Sequence, residues 1–199
     1  MTNPDKNEER MNALTKAAAV LTKLFEIAYS IGAVSMAVAL VLFLLDPYLP
    51  GEWLWGAEAY EELTVQGFSL MVTGPGAQVS RPAMVIFLVT GGLVLELMAW
   101  VFRDANLILR TTQGLTKFSQ GKTPFQKDNV RMMREIGIFF LAIAVVELAA
   151  SSLAFLILGP EFAEVSINAT SAVTGILMLC LSQVFALGMQ MQKDVDGLV

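Results

Sequence analysis

The chain carries four long runs of apolar residues, and each run is long enough to cross a lipid bilayer. A helix needs roughly 20 apolar residues to span about 30 Å of hydrocarbon. The runs cover residues 27–45, 82–102, 136–158 and 167–187. We expect α-helices, because a helix satisfies its own backbone hydrogen bonds in lipid, whereas a lone strand does not. The pattern predicts an all-α polytopic membrane protein, with four transmembrane helices bundled in a single membrane domain, 1–199.

The distribution of Lys and Arg predicts how the chain is threaded. Cytoplasmic loops of membrane proteins carry an excess of these cations. Residues 1–26 hold four of them, 103–135 hold seven and the C-terminal tail holds Lys193, whereas the two remaining loops hold only Arg81. We therefore expect both termini in the cytoplasm and the loop 46–81 outside.

The cytoplasmic segment 103–135 is predicted to be a helical hairpin between spans two and three. The second span continues as a helix to Gly121, which has the residue type that often ends helices, and Pro124 prevents immediate continuation. A new helix begins at Asp128 or Asn129, either of which can cap it. Its candidate inner basic surface, which suits an acidic protein or anionic lipid, consists of Lys122, Lys127, Arg131 and Arg134. In the alternative interpretation these cations only fix the orientation.

The outer loop has two parts with different patterns. Residues 51–63 mix Trp and Tyr with Glu, a composition that favours a short helix at the membrane surface. Residues 64–81 are richer in Gly and Val and contain a turn signal at Gly74-Pro75-Gly76, which favours a small hairpin. The loop is either a lid over the helices or an interfacial anchor.

Two carboxylates lie within the apolar runs. Glu96 interrupts the second run and Glu147 the third, and Gln183 in the fourth is a candidate hydrogen-bond partner. A carboxylate at the bilayer centre costs at least about 2.5 kcal/mol, so such residues usually face the protein interior. Glu96, Glu147 and Gln183 are therefore a candidate intramembrane polar site. They either bind a proton, cation or polar ligand, or join helices by hydrogen bonds.

A stripe of small residues runs along span one, at Ala28, Gly32, Ser35 and Ala39. Such a stripe permits close helix packing. We expect packing within the protein first and a homodimer as the alternative.

The composition removes several functional classes. The chain has 199 residues, of which 55% are hydrophobic and 16% charged, with no His and the single Cys180. A soluble domain, an internal disulfide and a His- or Cys-based zinc site are therefore excluded. The net charge of -5 gives no basic footprint, so we expect no direct nucleic-acid binding. Without recognisable catalytic motifs, we predict no enzyme, no catalytic residue, no cofactor and no metal.

The inner segment and the last span carry motifs of a bacterial family. Before span three, a turn leads through basic residues to an Ile-Gly pair; the matching residues are Gly121, Pro124, Phe125, Asn129, Arg131, Arg134, Ile136 and Gly137. After span four, the matching residues are Val184, Phe185, Gly188, Gln190, Gln192 and Asp194. On these residues the chain resembles the four-span family named domain of unknown function 2975. Gln183 stands where many members have Glu, and the turn has one extra residue.

The resemblance implies a bacterial cytoplasmic (inner) membrane protein but brings no biochemical activity. Members often occur beside small helix-turn-helix regulators, which implies a regulatory partnership by association. The leading hypothesis is a non-catalytic sensor or regulatory partner in contact with the lipid bilayer and a cytoplasmic regulatory protein. The alternative is a small transporter or channel component that uses the intramembrane carboxylates.

Overall fold

The computed structural model describes residues 4–45, 62–73, 79–117 and 125–196. The described part contains four helices: α1 (Pro4–Leu45), α2 (Arg81–Thr112), α3 (Lys127–Leu158) and α4 (Ala169–Asp196). All four are long and apolar enough to cross a membrane, which confirms the four predicted helices. An antiparallel sheet of β1 (Glu62–Val65) and β2 (Phe68–Met71) is an addition to the all-α prediction. The bundle arrangement and the single domain stay predictions.

The chain folds into two compact units, each built from parts of several helices. Unit 1 comprises Met1–Ala28, Met98–Phe140 and Val173–Val199. Unit 2 comprises Tyr29–Leu97 and Leu141–Ala172, and it contains the sheet. Because each helix is at least 28 residues long, it exceeds the roughly 20 residues that the hydrocarbon requires.

The sheet of unit 2 is a tight hairpin with one buried face. Its turn residues, Gln66 and Gly67, have φ values of 50° and 102°, the pattern of the type I′ turns that suit two-residue hairpins. Phe68, Leu70 and Val72 are buried in the apolar core of the unit. Residues of α2 and α3 complete this core, among them Met84, Phe87, Leu88, Ala150 and Ala154. The hairpin therefore contributes directly to the packing of unit 2.

The prediction for the outer loop is partly tested. A hairpin was expected within 64–81, and one exists, but its first strand begins at Glu62 and its turn lies at Gln66 and Gly67. Glu62 and Leu63 are in a strand, so the predicted helix does not extend to residue 63. The rest of that helix, 51–61, and the turn signal Gly74–Gly76 lie outside the described residues.

The inner end of α2 differs from the prediction. The helix ends at Thr112 instead of continuing to Gly121, because Gly114 adopts a φ of 76°. The N–H of Gly114 donates to the carbonyl of Thr111, and the N–H of Leu115 donates to that of Arg110. These two bonds form a Schellman motif, which ends a helix with a left-handed glycine. The earlier glycine therefore ends the helix, and the predicted break at Gly121–Pro124 lies outside the described residues.

The start of α3 also differs. The helix begins at Lys127, and the carbonyl of Gln126 accepts the first helical hydrogen bond, from Val130. Gln126 thus occupies the cap position, whereas Asp128 and Asn129 lie in the first turn. An acid in the first turn still interacts favourably with the helix dipole.

Polar and aromatic contacts join the helix segments of unit 1. Asn106 of α2 is buried, and its amide donates to the Ala19 carbonyl and to the Thr22 hydroxyl of α1. The rings of Phe25 and Phe102 stack with their centroids 5.1 Å apart. These contacts fix the first helix against the second within this unit.

Several residues that carry the family resemblance pack against one another in unit 1. A Cβ added at Gly188 would lie 2.6 Å from the Phe125 ring, whose centroid is 5.4 Å from that of Phe185. A Cβ added at Gly137 would lie 3.0 Å from the carbonyl oxygen of Gly175 and 2.9 Å from Leu179. These positions of the motif therefore have a packing role.

The small residues of span one pack partly within unit 2. A Cβ added at Gly32 would lie 3.2 Å from Leu95 of α2, and Ala39 packs against the apolar core. These two contacts agree with packing inside the protein. The homodimer stays a prediction.

We predict that Gly137→Ala destabilises the protein whereas Gly92→Ala does not. The new methyl at Gly137 meets the backbone of Gly175, and such overpacking costs about 1–3 kcal/mol. At Gly92 it would lie 3.6 Å from Met36, an ordinary contact. Thermal unfolding of the two purified variants in the same detergent measures the difference. Equal unfolding temperatures would contradict the close approach of α3 and α4.

Candidate functional site

Glu147 is a buried carboxylate in α3 of unit 2. Its side chain is 3% exposed, and neither oxygen accepts a hydrogen bond of ordinary geometry from the described residues. The side-chain amide of Asn168 faces it. A buried polar group without a partner costs about 1–3 kcal/mol, so Glu147 is either a cost of the fold or a group with a function.

The other two members of the predicted polar site have different surroundings. Glu96 is partly exposed and belongs to unit 2 with Glu147, whereas Gln183 is exposed and belongs to unit 1. The grouping of these three residues into one site stays a prediction.

Asn168 joins three parts of unit 2. Its side-chain oxygen accepts a hydrogen bond of 3.0 Å from the N–H of Ser171, which caps the first turn of α4. Its amide donates to the carbonyl of Gln66 at the tip of the hairpin, at 3.0 Å. The Gln66 amide in turn donates to the Tyr29 hydroxyl of α1, at 2.7 Å. The hairpin tip is therefore held between the start of α4 and the first helix.

The close fit at the hairpin tip requires a glycine. A Cβ added at Gly67 would lie 2.8 Å from the amide nitrogen of Asn168. The φ of 102° at Gly67 is also one that L residues rarely adopt. On the neighbouring strand, the N–H of Met71 donates to the carbonyl of Phe162 at 3.0 Å. The hairpin is thus tied to the α3–α4 connection along its length.

A groove of about 430 Å³ lies beside this hairpin. Its charged lining residues are all acidic: Glu62, Glu161 and Glu164. Most residues of the segment from Pro160 to Ser166 also line it. We call this cavity the hairpin groove.

A second cavity, of about 240 Å³, lies in unit 1 where α2 and α3 approach the connection between them. We call it the inner groove. It is lined by Arg103, Asp104, Leu107, Thr111, Asp128, Arg131, Met132 and Glu135. Acidic and basic side chains thus share one small cavity.

In the inner groove one ion pair is short, whereas the buried carboxylate of Asp104 has only a long contact with a cation. Arg131 and Glu135 form an ion pair at 2.8 Å. Asp104 is 2% exposed, and Arg103 reaches only one of its oxygens, at 3.4 Å. The other oxygen, Oδ2, has no hydrogen-bond partner among the residues described. The guanidinium of Arg103 also lies 5.9 Å from the centroid of the Trp100 ring, within cation–π range.

Three residues of the predicted inner basic surface lie on one helix face. Lys127, Arg131 and Arg134 follow at spacings of four and three in α3, and all are exposed. Lys122 lies outside the described residues. A cation in the first turn of a helix is disfavoured by the helix dipole, so Lys127 does not help α3 to form.

Sequence reasoning missed the roles of Asp104 and Asn168. Asp104 follows a span by two residues and looked like one acid in a basic segment. Its burial depends on α3, which the sequence pattern does not place. Asn168 did carry a usable signal, because Asn directly before an apolar helical run is a typical N-cap.

No family model matches the chain, and neither the curated proteins nor the solved structures include a match. The resemblance to the bacterial four-span family therefore stays a prediction. Across residues 4–45, 62–73, 79–117 and 125–196, no group of three His, Cys, Asp or Glu side chains is placed to hold a metal ion.

We predict that Glu147→Gln leaves the unfolding temperature nearly unchanged and that Glu147→Leu raises it. The amide has almost the same shape as the carboxyl, and no observed hydrogen bond is lost. Leucine removes from the interior a carboxylate that accepts no hydrogen bond of ordinary geometry from the described residues, which is worth about 1–3 kcal/mol. Thermal unfolding in detergent measures both effects. Unfolded protein from both variants would show that Glu147 makes an essential interaction.

Proposed function

We propose that this protein is a non-catalytic sensor or regulatory partner in a bacterial cytoplasmic membrane. In this proposal it crosses the membrane four times, with both termini and the α2–α3 connection in the cytoplasm. The lopsided distribution of Lys and Arg supports that orientation. The proposal also places the chain with the bacterial four-span family that it resembles.

The observation that carries the proposal is the exposed cationic face of α3, formed by Lys127, Arg131 and Arg134. A linear row of cations on a rigid helix suits an acidic surface of a cytoplasmic protein. If the cations of segment 103–135 only fixed the orientation of the chain in the membrane, they would not need to lie on one face of α3. In the proposal, this face is the output surface.

The hairpin is the proposed input element. Its tip, Gln66 and Gly67, is exposed and is held by hydrogen bonds of Asn168, Gln66 and Tyr29, whereas the adjoining strands have one buried face. A ligand that competes for these groups would change the position of the tip. The hairpin groove beside it supplies room for such a ligand.

A small transporter is the second candidate, and the burial of Glu147 favours it. A buried carboxylate in a membrane helix is a typical feature of proton and cation pathways, and Glu147 accepts no hydrogen bond of ordinary geometry from the described residues. Neither the hairpin groove nor the inner groove is lined by Glu96 or Glu147. We put the regulator first because the cationic face of α3 is exposed.

Site-specific photo-cross-linking in the native host tests the regulator. We expect a photoreactive residue at Gln190 of α4, and a second one at Lys117, to capture one defined cytoplasmic protein. Neutralisation of the cationic face by Lys127→Gln and Arg134→Gln should reduce that adduct about two- to thirtyfold, because two exposed ionic contacts of about 0.2–1 kcal/mol each are lost.

The matched control is Lys193→Gln, which removes an exposed cation from α4 and leaves the face on α3 intact. It should leave the adduct unchanged. An adduct that survives neutralisation of the α3 face, in variants with normal membrane levels, would refute the output surface.

A further inference from the structure

The inner groove combines features of a binding site for a zwitterion. It is lined by three acidic residues, Asp104, Asp128 and Glu135, and by two arginines, Arg103 and Arg131. Arg131 is paired with Glu135, and burial, together with the nearby Glu135 carboxyl, raises the pKa of Asp104. Both signs of charge therefore line one cavity of about 240 Å³. Arg131 also belongs to the proposed output surface, but that surface is tested through Lys127 and Arg134 and this groove through Asp104, so the two proposals can fail separately.

The buried and weakly paired carboxylate of Asp104 suits a cationic ligand. It is nearly fully buried and lines the groove, but its only described cationic partner, Arg103, is its neighbour in the chain and contacts it at 3.4–3.5 Å. Neighbours in a helix point in different directions, which explains why this contact is long. Oδ2 remains without a donor in the described part of the chain. A donor that enters from the groove, with a turn of the carboxylate toward it, would satisfy this oxygen.

The chemistry favours a primary ammonium group over a metal ion. The three acids are not placed to coordinate one metal ion together, as judged over the described residues. A primary ammonium presents three N–H donors on a flexible stem and needs only one close carboxylate. A quaternary ammonium has no N–H donor and would leave Oδ2 unsatisfied.

The two arginines would bind the anionic half of the zwitterionic ligand. The side chains of Arg103 and Arg131 are 50% and 74% exposed, so both remain accessible to a ligand in the groove. A guanidinium binds phosphate oxygens through paired N–H donors. Phosphate and ammonium separated by a short linker would therefore match the two kinds of side chain.

The position of the groove along α2 indicates where such a ligand comes from. Asp104 lies two residues beyond the predicted span 82–102, or about 3 Å along the helix axis. This is the depth of lipid head groups. We propose that the inner groove binds a phosphoethanolamine group, with the ammonium at Asp104 and the phosphate at Arg131, and that its source is the head group of a membrane phospholipid.

Native mass spectrometry of the full-length protein in detergent tests the proposal. The protein is mixed with equal amounts of phosphatidylethanolamine and phosphatidylcholine, which differ only in the methylation of the ammonium. We expect the first lipid to be retained about tenfold more, the effect of one charge-assisted hydrogen bond. Asp104→Asn should abolish this preference. Arg131→Gln should weaken the binding of both lipids and leave the ratio of their retention unchanged.

The control variant is Asp194→Asn, which removes an exposed acid of α4 outside the groove and should change nothing. Free phosphoethanolamine, added as a competitor, distinguishes the lipid from a soluble source. Asp104-dependent retention of the lipid that free phosphoethanolamine does not displace at low concentration supports the proposal, whereas displacement at low concentration would overturn the membrane lipid as the source. Equal retention of the two lipids by the unmodified protein would overturn the proposal without any variant. A preference that persists in folded Asp104→Asn would overturn it as well.

Discussion

Backbone amides and carbonyls have no water to bond with inside a hydrocarbon layer, and the rest of this structure follows from that constraint. Helices satisfy these groups locally, and the chain has four helices of 28 to 42 residues. Only about 20 residues of each are needed to cross the layer. In the proposed membrane placement the remaining turns extend beyond it, and the two grooves lie near the ends of the helices.

The same constraint explains how side chains are used. The hydrophobic effect does little to hold helices together in lipid, so close packing and hydrogen bonds between helices matter more. Gly137 allows the backbone of α4 to approach α3, and Asn106 bonds to the backbone of α1. The Asn168 side chain likewise donates a hydrogen bond to the backbone of the hairpin. Glu147 is the exception, because it is buried without a comparable partner among the described residues.

The four helices could be predicted because each carries its own signal in a continuous apolar run. Their ends were harder to predict. Gly114 and Gly121 are both suitable stops in the sequence, and the residues alone do not show that Gly114 adopts a positive φ and ends α2. A hairpin was predicted within 64–81 from the turn signal at Gly74–Gly76, which lies outside the described residues, whereas the observed hairpin turns at Gln66 and Gly67. Its register depends on the burial of Phe68 and Leu70 against α2, which is tertiary information.

The candidate sites divide in the same way. The cationic face of α3 is visible in the sequence because its spacing is local. Asp104 is different, since its burial requires α3 to lie against α2 and so cannot be found from the residues near it. Glu147 lies between these cases: its position in a span predicts burial, but the lack of a hydrogen-bond partner emerges only from packing.

The proposed roles of the hairpin and the cationic face depend on their lying on opposite sides of the membrane. Cysteine labelling tests this directly, in a Cys180→Ser background with Ser69→Cys in the hairpin or Lys127→Cys at the start of α3; both positions are exposed. With a membrane-impermeant maleimide, we expect Ser69→Cys to react in cells whose cytoplasmic membrane is intact, and Lys127→Cys to react only after permeabilisation. The reverse pattern, or labelling of both positions from one side, would contradict the account.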